Sequence, residues 1–299
     1  MTEELVSCTS GNLTLEVAPA LGSSITRFAY ERAGGALDLL RPAPVTDLSK
    51  VPPTDTACFP LVPFSNRIRN GKFTFQGREV ELSPNFPPEP HAIHGQGWHS
   101  SWEVAEHSDT SVRTFYEHEA ADWPWSYRAE QHYVLTPDAL EVTISIANTS
   151  NEAMPAAVGL HPYFVRTPRS RLATSVEKVW LSDDDYMPTE LVEVPDNWDL
   201  TDLNPDNVSL DHNFAGWSRR AVIEWADRGA RLSLTASEPL DFLVVFTPPE
   251  EAFFCVEPVS NALDAFNLTS QGRDDVGGSI LESGETLSAK VTFAPEVDA

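Results

Sequence analysis

The stretch from Leu140 to Ile146 sets Leu140, Val142, Ile144 and Ile146 on one face and Glu141, Thr143 and Ser145 on the other. A period of two is the mark of a strand with one buried and one wet face. The same alternation recurs at Leu13, Leu15 and Val17, at Trp102 and Val104, and at Tyr133 and Leu135. It returns at Ala221, Ile223 and Trp225, at Leu232 and Leu234, and at Leu287, Ala289, Val291 and Phe293. Phe73 and Phe75, a Gln76-Gly77 turn, then Val80 and Leu82 spell a hairpin. Phe242 to Phe246 is apolar throughout, which predicts a short strand covered on both faces. No long amphipathic helix, fixed-period repeat or low-complexity linker breaks the pattern. Many short strands divided by turns predict an all-β chain, a large antiparallel β-sandwich forming a single domain over residues 1–299.

Between the strands, four segments read as irregular. Arg41 to Pro60 is rich in Pro, Asp and Thr, and Ser83 to Gly97 is loop-like. Thr167 to Ser175 reads as a polar, basic surface turn, and Leu191 to Asn207 as a long acidic surface excursion. Long irregular connections in compact domains tend to carry function.

The formal net charge is -25 at pH 7. Such a surface repels nucleic acid and anionic lipid, so neither is expected as a partner. Three cysteines, Cys8, Cys58 and Cys255, lie far apart and form neither a disulfide framework nor a zinc spacing. The N-terminal residues lack the basic and apolar regions of a signal peptide, and no apolar run approaches a membrane span. The expectation is a cytoplasmic protein. No phosphate-cradling loop, dinucleotide fingerprint or nucleophile elbow is present, so no cofactor and no metal are expected.

Five stretches place polar residues in apolar or loop settings. In V-G-L-H-P-Y-F, Val158 to Phe164, His161 precedes a proline and is pushed toward extended backbone. Its imidazole titrates near neutrality, which suits a catalytic acid, although a core histidine bonded to a carbonyl would look the same. In F-P-L-V-P-F-S-N-R-I-R-N-G, Asn66 and Arg67 follow an apolar run, and Arg67 is either a ligand-binding guanidinium or a surface arginine. H-A-I-H-G-Q-G-W-H holds His91, His94 and His99 without a nearby carboxylate or cysteine, so a metal is disfavoured. There His94 is the candidate substrate contact, followed by a glycine where backbone must approach closely. In S-L-D-H-N-F-A-G-W, Asp211 either accepts from hydroxyls or caps an Asx turn, and Phe214 or Trp217 could supply an apolar platform. In F-F-C-V-E-P-V-S-N-A, Glu257 follows four apolar residues, where desolvation raises a carboxyl toward the range of a general base.

Taken together and in order, N-R-I at Asn66, His94-Gly95, G-L-H-P-Y-F at Gly159, D-H-N-F at Asp211 and E-P at Glu257 resemble the aldose 1-epimerase (galactose mutarotase) family. The C-V-E-P-V-S-N-A element is most similar to a bacterial branch of it. The resemblance implies a galactose mutarotase-like supersandwich with a sugar site on one sheet and no cofactor. It implies Glu257 as general base, His161 as general acid, His94 near the ring oxygen, and Arg67 and Asp211 on sugar hydroxyls. The partner is then a small-molecule sugar. A phosphorylated or sulfonated sugar would call for a basic cluster, and Arg67 and Arg69 are the one close basic pair in these motifs, so a neutral sugar is expected. Two other readings use the same residues: a glycoside hydrolase with Asp211 and Glu257 as its carboxylate pair, and a carbohydrate-binding protein without catalysis.

Overall fold

A computed structural model describes residues 5–44 and 50–298. Two antiparallel sheets dominate. The larger has 11 strands, running from Val6–Ser10 through Leu13–Ala18, Ser24–Tyr30, Cys58–Leu61, Gly159–Val165, Phe253–Val259, Phe242–Phe246, Asp211–Ala215 and Lys178–Ser182 to Pro188–Glu193, with Leu37–Asp38 beside Ser24–Tyr30. The smaller has 8 strands, from Glu103–Ser108 through Ser111–His118, Tyr127–Leu135, Leu140–Asn148, Thr286–Val297, Ala230–Ala236 and Arg220–Trp225 to Ser170–Thr174. The all-β antiparallel sandwich expected from the alternation is what the chain forms.

The strand Leu140–Asn148 shows why. Leu140, Val142, Ile144 and Ile146 are fully buried, and the residues between them are half-exposed. They meet Leu15, Val17, Phe28, Phe164, Phe254 and Val256 of the larger sheet in one apolar cluster. Removing such an area from water is the main force holding two sheets face to face. The hairpin Lys72–Phe75 to Arg78–Glu81 turns at Gln76 and Gly77, both at positive φ (49° and 82°), as a two-residue turn of this twist requires.

The larger sheet differs in having a second covered face. Phe59, Leu61, Tyr163, Val244, Cys255 and Val259 point away from the main core. Segments around Ile93 and Trp98, and around Ala262, Ala265 and Val276, close over them. Phe242–Phe246 is therefore buried on both sides, as its unbroken apolar run predicts.

Four expectations need correction. Thr167 to Ser175 is not only a surface turn: Ser170–Thr174 is the edge strand of the smaller sheet, with Ser170, Leu172 and Thr174 buried and its register set by Arg220–Trp225. Short polar residues at alternate positions hid the period. Trp102 is buried but Val104 is 44% exposed, because Glu103–Ser108 is an edge strand exposed throughout. Of Arg41 to Pro60, residues 45–49 lie outside the described residues, Pro53–Asp55 forms a 3-10 turn, and Cys58–Leu61 is an inner strand. Leu191 to Asn207 begins as the end of the edge strand Pro188–Glu193 and only then runs over the surface, anchored by Leu200 and Leu203. Among the described residues the α-helix is Ala265–Ser270, and no helix is long and apolar enough to cross a membrane.

Candidate active site

Gly159–Val165 sits between Cys58–Leu61 and Phe253–Val259. Its pairing with Phe253–Val259 is made at Gly159↔Val259 and resumes at Tyr163↔Cys255, which brackets His161 opposite Glu257. Each of these residues precedes a proline, Pro162 and Pro258, which holds it extended and leaves the ladder without two N–H donors at this point. His161 Nε2 stands 3.2 Å from Glu257 Oε1. The next strand continues the row with Val244 opposite Glu257. On the other side Phe59 is opposite His161, its ring stacked on the imidazole at 4.4 Å. Tyr163 stacks at 4.7 Å. Two residues nearly a hundred positions apart thus become one pair, on the covered face of the larger sheet.

Above the pair lies a cavity of about 410 Å³ lined by Arg41, Asn66, Arg67, His94, His161, Asp211 and Glu257 among others, within the usual size for a small-molecule site. Asn66 and His94 both have left-handed backbones, at φ 60° and 62°, a conformation Asn and His tolerate better than most residues. They lock each other. His94 N–H donates to the Asn66 carbonyl at 3.0 Å, and Asn66 N–H donates to His94 Nδ1 at 3.1 Å. That second bond fixes the tautomer with the hydrogen on Nε2. Gly95 follows at φ 72°, and a Cβ there would lie 2.2 Å from the Val62 carbonyl oxygen, so the close backbone approach expected after His94 is present. Arg67 reaches the cavity from the short strand Arg67–Ile68, donating from Nε and Nη2 to Glu89 Oε1 at 3.2 and 2.9 Å. Asp211 opens the strand Asp211–Ala215, opposite Phe246.

The structure thus brings together Glu257, His161, His94, Asn66, Arg67 and Asp211. It does not bring Trp217 to them. Trp217 is buried in the main core and its Nε1 donates to Thr174 Oγ1 at 2.8 Å, so it offers no platform to the cavity. Phe59, Phe86 and Trp98 supply the aromatic walls instead. His91 is held by Asn70 N–H and the Asp185 carbonyl, and His99 is exposed, so the three histidines of that stretch do not converge.

Sequence reasoning missed Arg41. It lies over the rings of Tyr163 and Phe253 at 4.0 and 4.6 Å and donates to the Thr54 and Thr56 carbonyls. It sits in a proline-rich loop with no motif around it, and nothing local marks it.

The family model for aldose 1-epimerase matches residues 4–294. The chain belongs to the aldose 1-epimerase family. It is 34% identical to the uncharacterized protein YphB of Escherichia coli K12 over 267 residues, 86% of this chain and 89% of that one. It superposes on a crystal structure from Escherichia coli K12, provisionally described as an aldose 1-epimerase, with TM-score 0.89 and 30% identity, covering 99% of both chains. A galactose mutarotase-like protein from Clostridium acetobutylicum shares the fold at TM-score 0.87 and 20% identity, over 98% of this chain and 95% of that one.

In this aldose 1-epimerase family member, burial sets the electrostatics of the pair. It pushes the Glu257 carboxyl well above the ordinary range, with the Asp211 charge adding and Arg67 opposing. Burial pulls the His161 imidazole down to about 3, with Arg41 also disfavouring its charge. His94 is pulled well below its usual value by burial, then by His161 and Arg67, so it is a neutral N–H donor. A carboxylic acid beside a neutral imidazole holds the same protons as a carboxylate beside an imidazolium. The pair therefore carries one transferable proton without a change in net charge.

Proposed function

We propose that this protein interconverts the α and β anomers of a free, uncharged aldose. The observation that carries the reading is the His161–Glu257 pair, 3.2 Å apart in the floor of a 410 Å³ cavity. A sugar whose anomeric hydroxyl meets Glu257 and whose ring oxygen meets His161 draws the pair into its charged form, carboxylate and imidazolium. Glu257 takes the proton of the anomeric hydroxyl as His161 gives its proton to the ring oxygen. The bond from the anomeric carbon to the ring oxygen breaks and the open aldehyde forms. Rotation about the adjacent carbon–carbon bond presents the other carbonyl face, and the two transfers run backwards on closure. Positioned acid and base supply on the order of 10²–10⁴-fold each.

The other residues then have roles. His94 Nε2–H and the Arg67 guanidinium donate to sugar oxygens, Asp211 accepts from a hydroxyl, and Phe59 and Trp98 cover the apolar faces of the ring. Four carboxyls, Asp55, Asp211, Glu251 and Glu257, share the lining with two guanidiniums, and Arg67 is already paired with Glu89. That balance favours a neutral sugar over an anionic one. The three buried thiols are unpaired, in keeping with the reducing cytoplasm in which we place the protein.

The test is polarimetry of a freshly dissolved α-aldose from a panel of neutral sugars. The wild type is expected to speed the decay to equilibrium, and Glu257→Gln or His161→Asn to lose that acceleration while circular dichroism stays native. Wild-type rates in both variants would overturn the assignment. Release of reducing sugar from a glycoside, or sugar binding without faster decay, would move it to the hydrolase or the binding protein.

A further inference from the structure

Cys255 takes no part in the chemistry above, yet it stands two residues before Glu257 on the same face of the same strand and opposite Tyr163. One ligand atom each from His161, Cys255 and Glu257 lies within 4.8 Å of the other two, and all three residues are buried. Nitrogen, sulfur and oxygen donors in threes are the protein share of an open zinc site, whose fourth position goes to water or substrate. The spacing of the histidine and the carboxylate is close to what such an ion needs, with the Cys255 sulfur within 4.8 Å of both. Bonds of about 2.0–2.1 Å at a tetrahedral angle set nitrogen and oxygen ligands roughly 3.3 Å apart. His161 Nε2 and Glu257 Oε1 already stand 3.2 Å apart. The three residues project from two adjacent strands, which hold them more firmly than loops would.

We propose that His161, Cys255 and Glu257 form a binding site for a thiophilic divalent cation of the zinc class, and that its occupancy switches the acid–base pair off. Binding releases two protons to solvent, one from the Cys255 thiol and the one shared by His161 and Glu257. The thiolate and carboxylate then balance the charge of the ion, whose free position faces the cavity. Glu257 can no longer accept a proton and His161 can no longer donate one. The other ring nitrogen, His161 Nδ1, has no hydrogen-bond partner among the described residues. Histidines in resident metal sites nearly always have one, and its loss costs about 10–100-fold in affinity. The ion is therefore a reversible inhibitor and not a fixture.

The binding half of this inference is independent of the mutarotase reading; the switching half rests on it. The experiment is titration of Co²⁺ into chelator-treated protein, followed by its absorption spectrum, with Zn²⁺ as competitor. One equivalent is expected to give a thiolate-to-cobalt charge-transfer band, which Zn²⁺ bleaches. Cys255→Ser is expected to abolish the band and weaken zinc binding by about tenfold or more, while leaving the metal-free rate of anomer exchange unchanged. Cys58→Ser is expected to keep the band. Should Cys255→Ser fail to fold, Glu257→Gln answers the same question, because it too must lose the band's affinity. No band, or a band that survives in Cys255→Ser, overturns the site. A band with no slowing of anomer exchange by zinc overturns the switch. A band in a protein that accelerates no anomer exchange when metal-free upholds the site and defeats the functional reading, and the switch with it.

Discussion

His118, at the end of Ser111–His118 in the smaller sheet, and His161, in the larger, are close to twins by the usual criteria. They are 9% and 8% exposed. Each stacks on a tyrosine, Tyr127 at 4.8 Å and 20° for His118, Tyr163 at 4.7 Å and 28° for His161. Burial draws both imidazoles toward the neutral form. Their partners separate them. His118 Nε2 donates to the Trp123 carbonyl at 3.1 Å, and its Nδ1 lies 3.2 Å from the Tyr116 hydroxyl, so both nitrogens are satisfied, one by a carbonyl and one by a hydroxyl. His161 faces a buried carboxyl through Nε2, while its Nδ1 has no hydrogen-bond partner among the described residues. Burial and stacking are therefore common to a structural and a chemical histidine. A second titratable group within reach, in a setting that penalises charge on both, is what distinguishes the site.

The sharpest way to break this contrast is to make the same change twice. His161→Gln is expected to lower the rate of anomer exchange by on the order of 10²–10⁴-fold, the share of a positioned acid, with little change in melting temperature. His118→Gln is expected to leave the rate alone and lower the melting temperature. Polarimetry and thermal denaturation on both variants decide it, and equal rate losses would mean that the pairing with Glu257 is not what matters.

Gly95→Ala comes next. It asks a left-handed position to carry a Cβ that would sit 2.2 Å from the Val62 oxygen and 2.5 Å from Pro63 Cδ. The backbone must shift, and His94, the preceding residue, shifts with it. The expected costs are about 1–3 kcal/mol of stability and a rate loss on the order of 10²-fold for a displacement near 1 Å, read by denaturant melts and initial rates. An unchanged rate would show that His94 is not a positioned contact. Asp211→Asn is milder. A hydrogen bond to a charged group contributes at least about 1.5 kcal/mol, so KM for the sugar is expected to rise by about tenfold with kcat nearly kept. A fall in kcat with KM unchanged would place Asp211 in the chemistry and not in binding.

Much of this architecture could be read directly from residues. Leu140 to Ile146 announced its own strand because one wet and one dry face leave a period of two. Phe242 to Phe246 announced a doubly covered one because it has no wet face. Glu257 stood out because a carboxyl among Phe253, Phe254, Cys255 and Val256 is costly unless it is used. Three things were not legible. Ser170–Thr174 alternates with serine and threonine on its buried side, so no apolar period marks it. Trp217 looked available beside Gly216 and Asp211, but it lies past the end of the strand Asp211–Ala215, after Gly216 at φ 65°, and the chain there carries it into the main core. Arg41 lies in the cavity on the rings of Tyr163 and Phe253, each more than a hundred residues away in sequence. A contact made by long-range pairing leaves no local signature.

The smallest expected effect tests the structural histidine itself. Because the Trp123 carbonyl can only accept, His118 carries its hydrogen on Nε2, and Nδ1 is left to accept from Tyr116. Its folded pKa lies below the unfolded value of 6.5, first through burial, with the bond to Trp123 opposing. The unfolded chain therefore binds a proton that the native protein refuses as the pH falls below 6.5, so the contribution of His118 to stability is complete above that value and diminishes on acidification. The cleft that His118 lines admits solvent, which damps the effect. Glutamine at this position has no proton to take up. Thermal melts of wild type and His118→Gln between about pH 8 and pH 5 are expected to show a stability gap that narrows on the acid side. A gap of constant width would mean that His118 is not held neutral, and the two histidines would then differ in more than their partners.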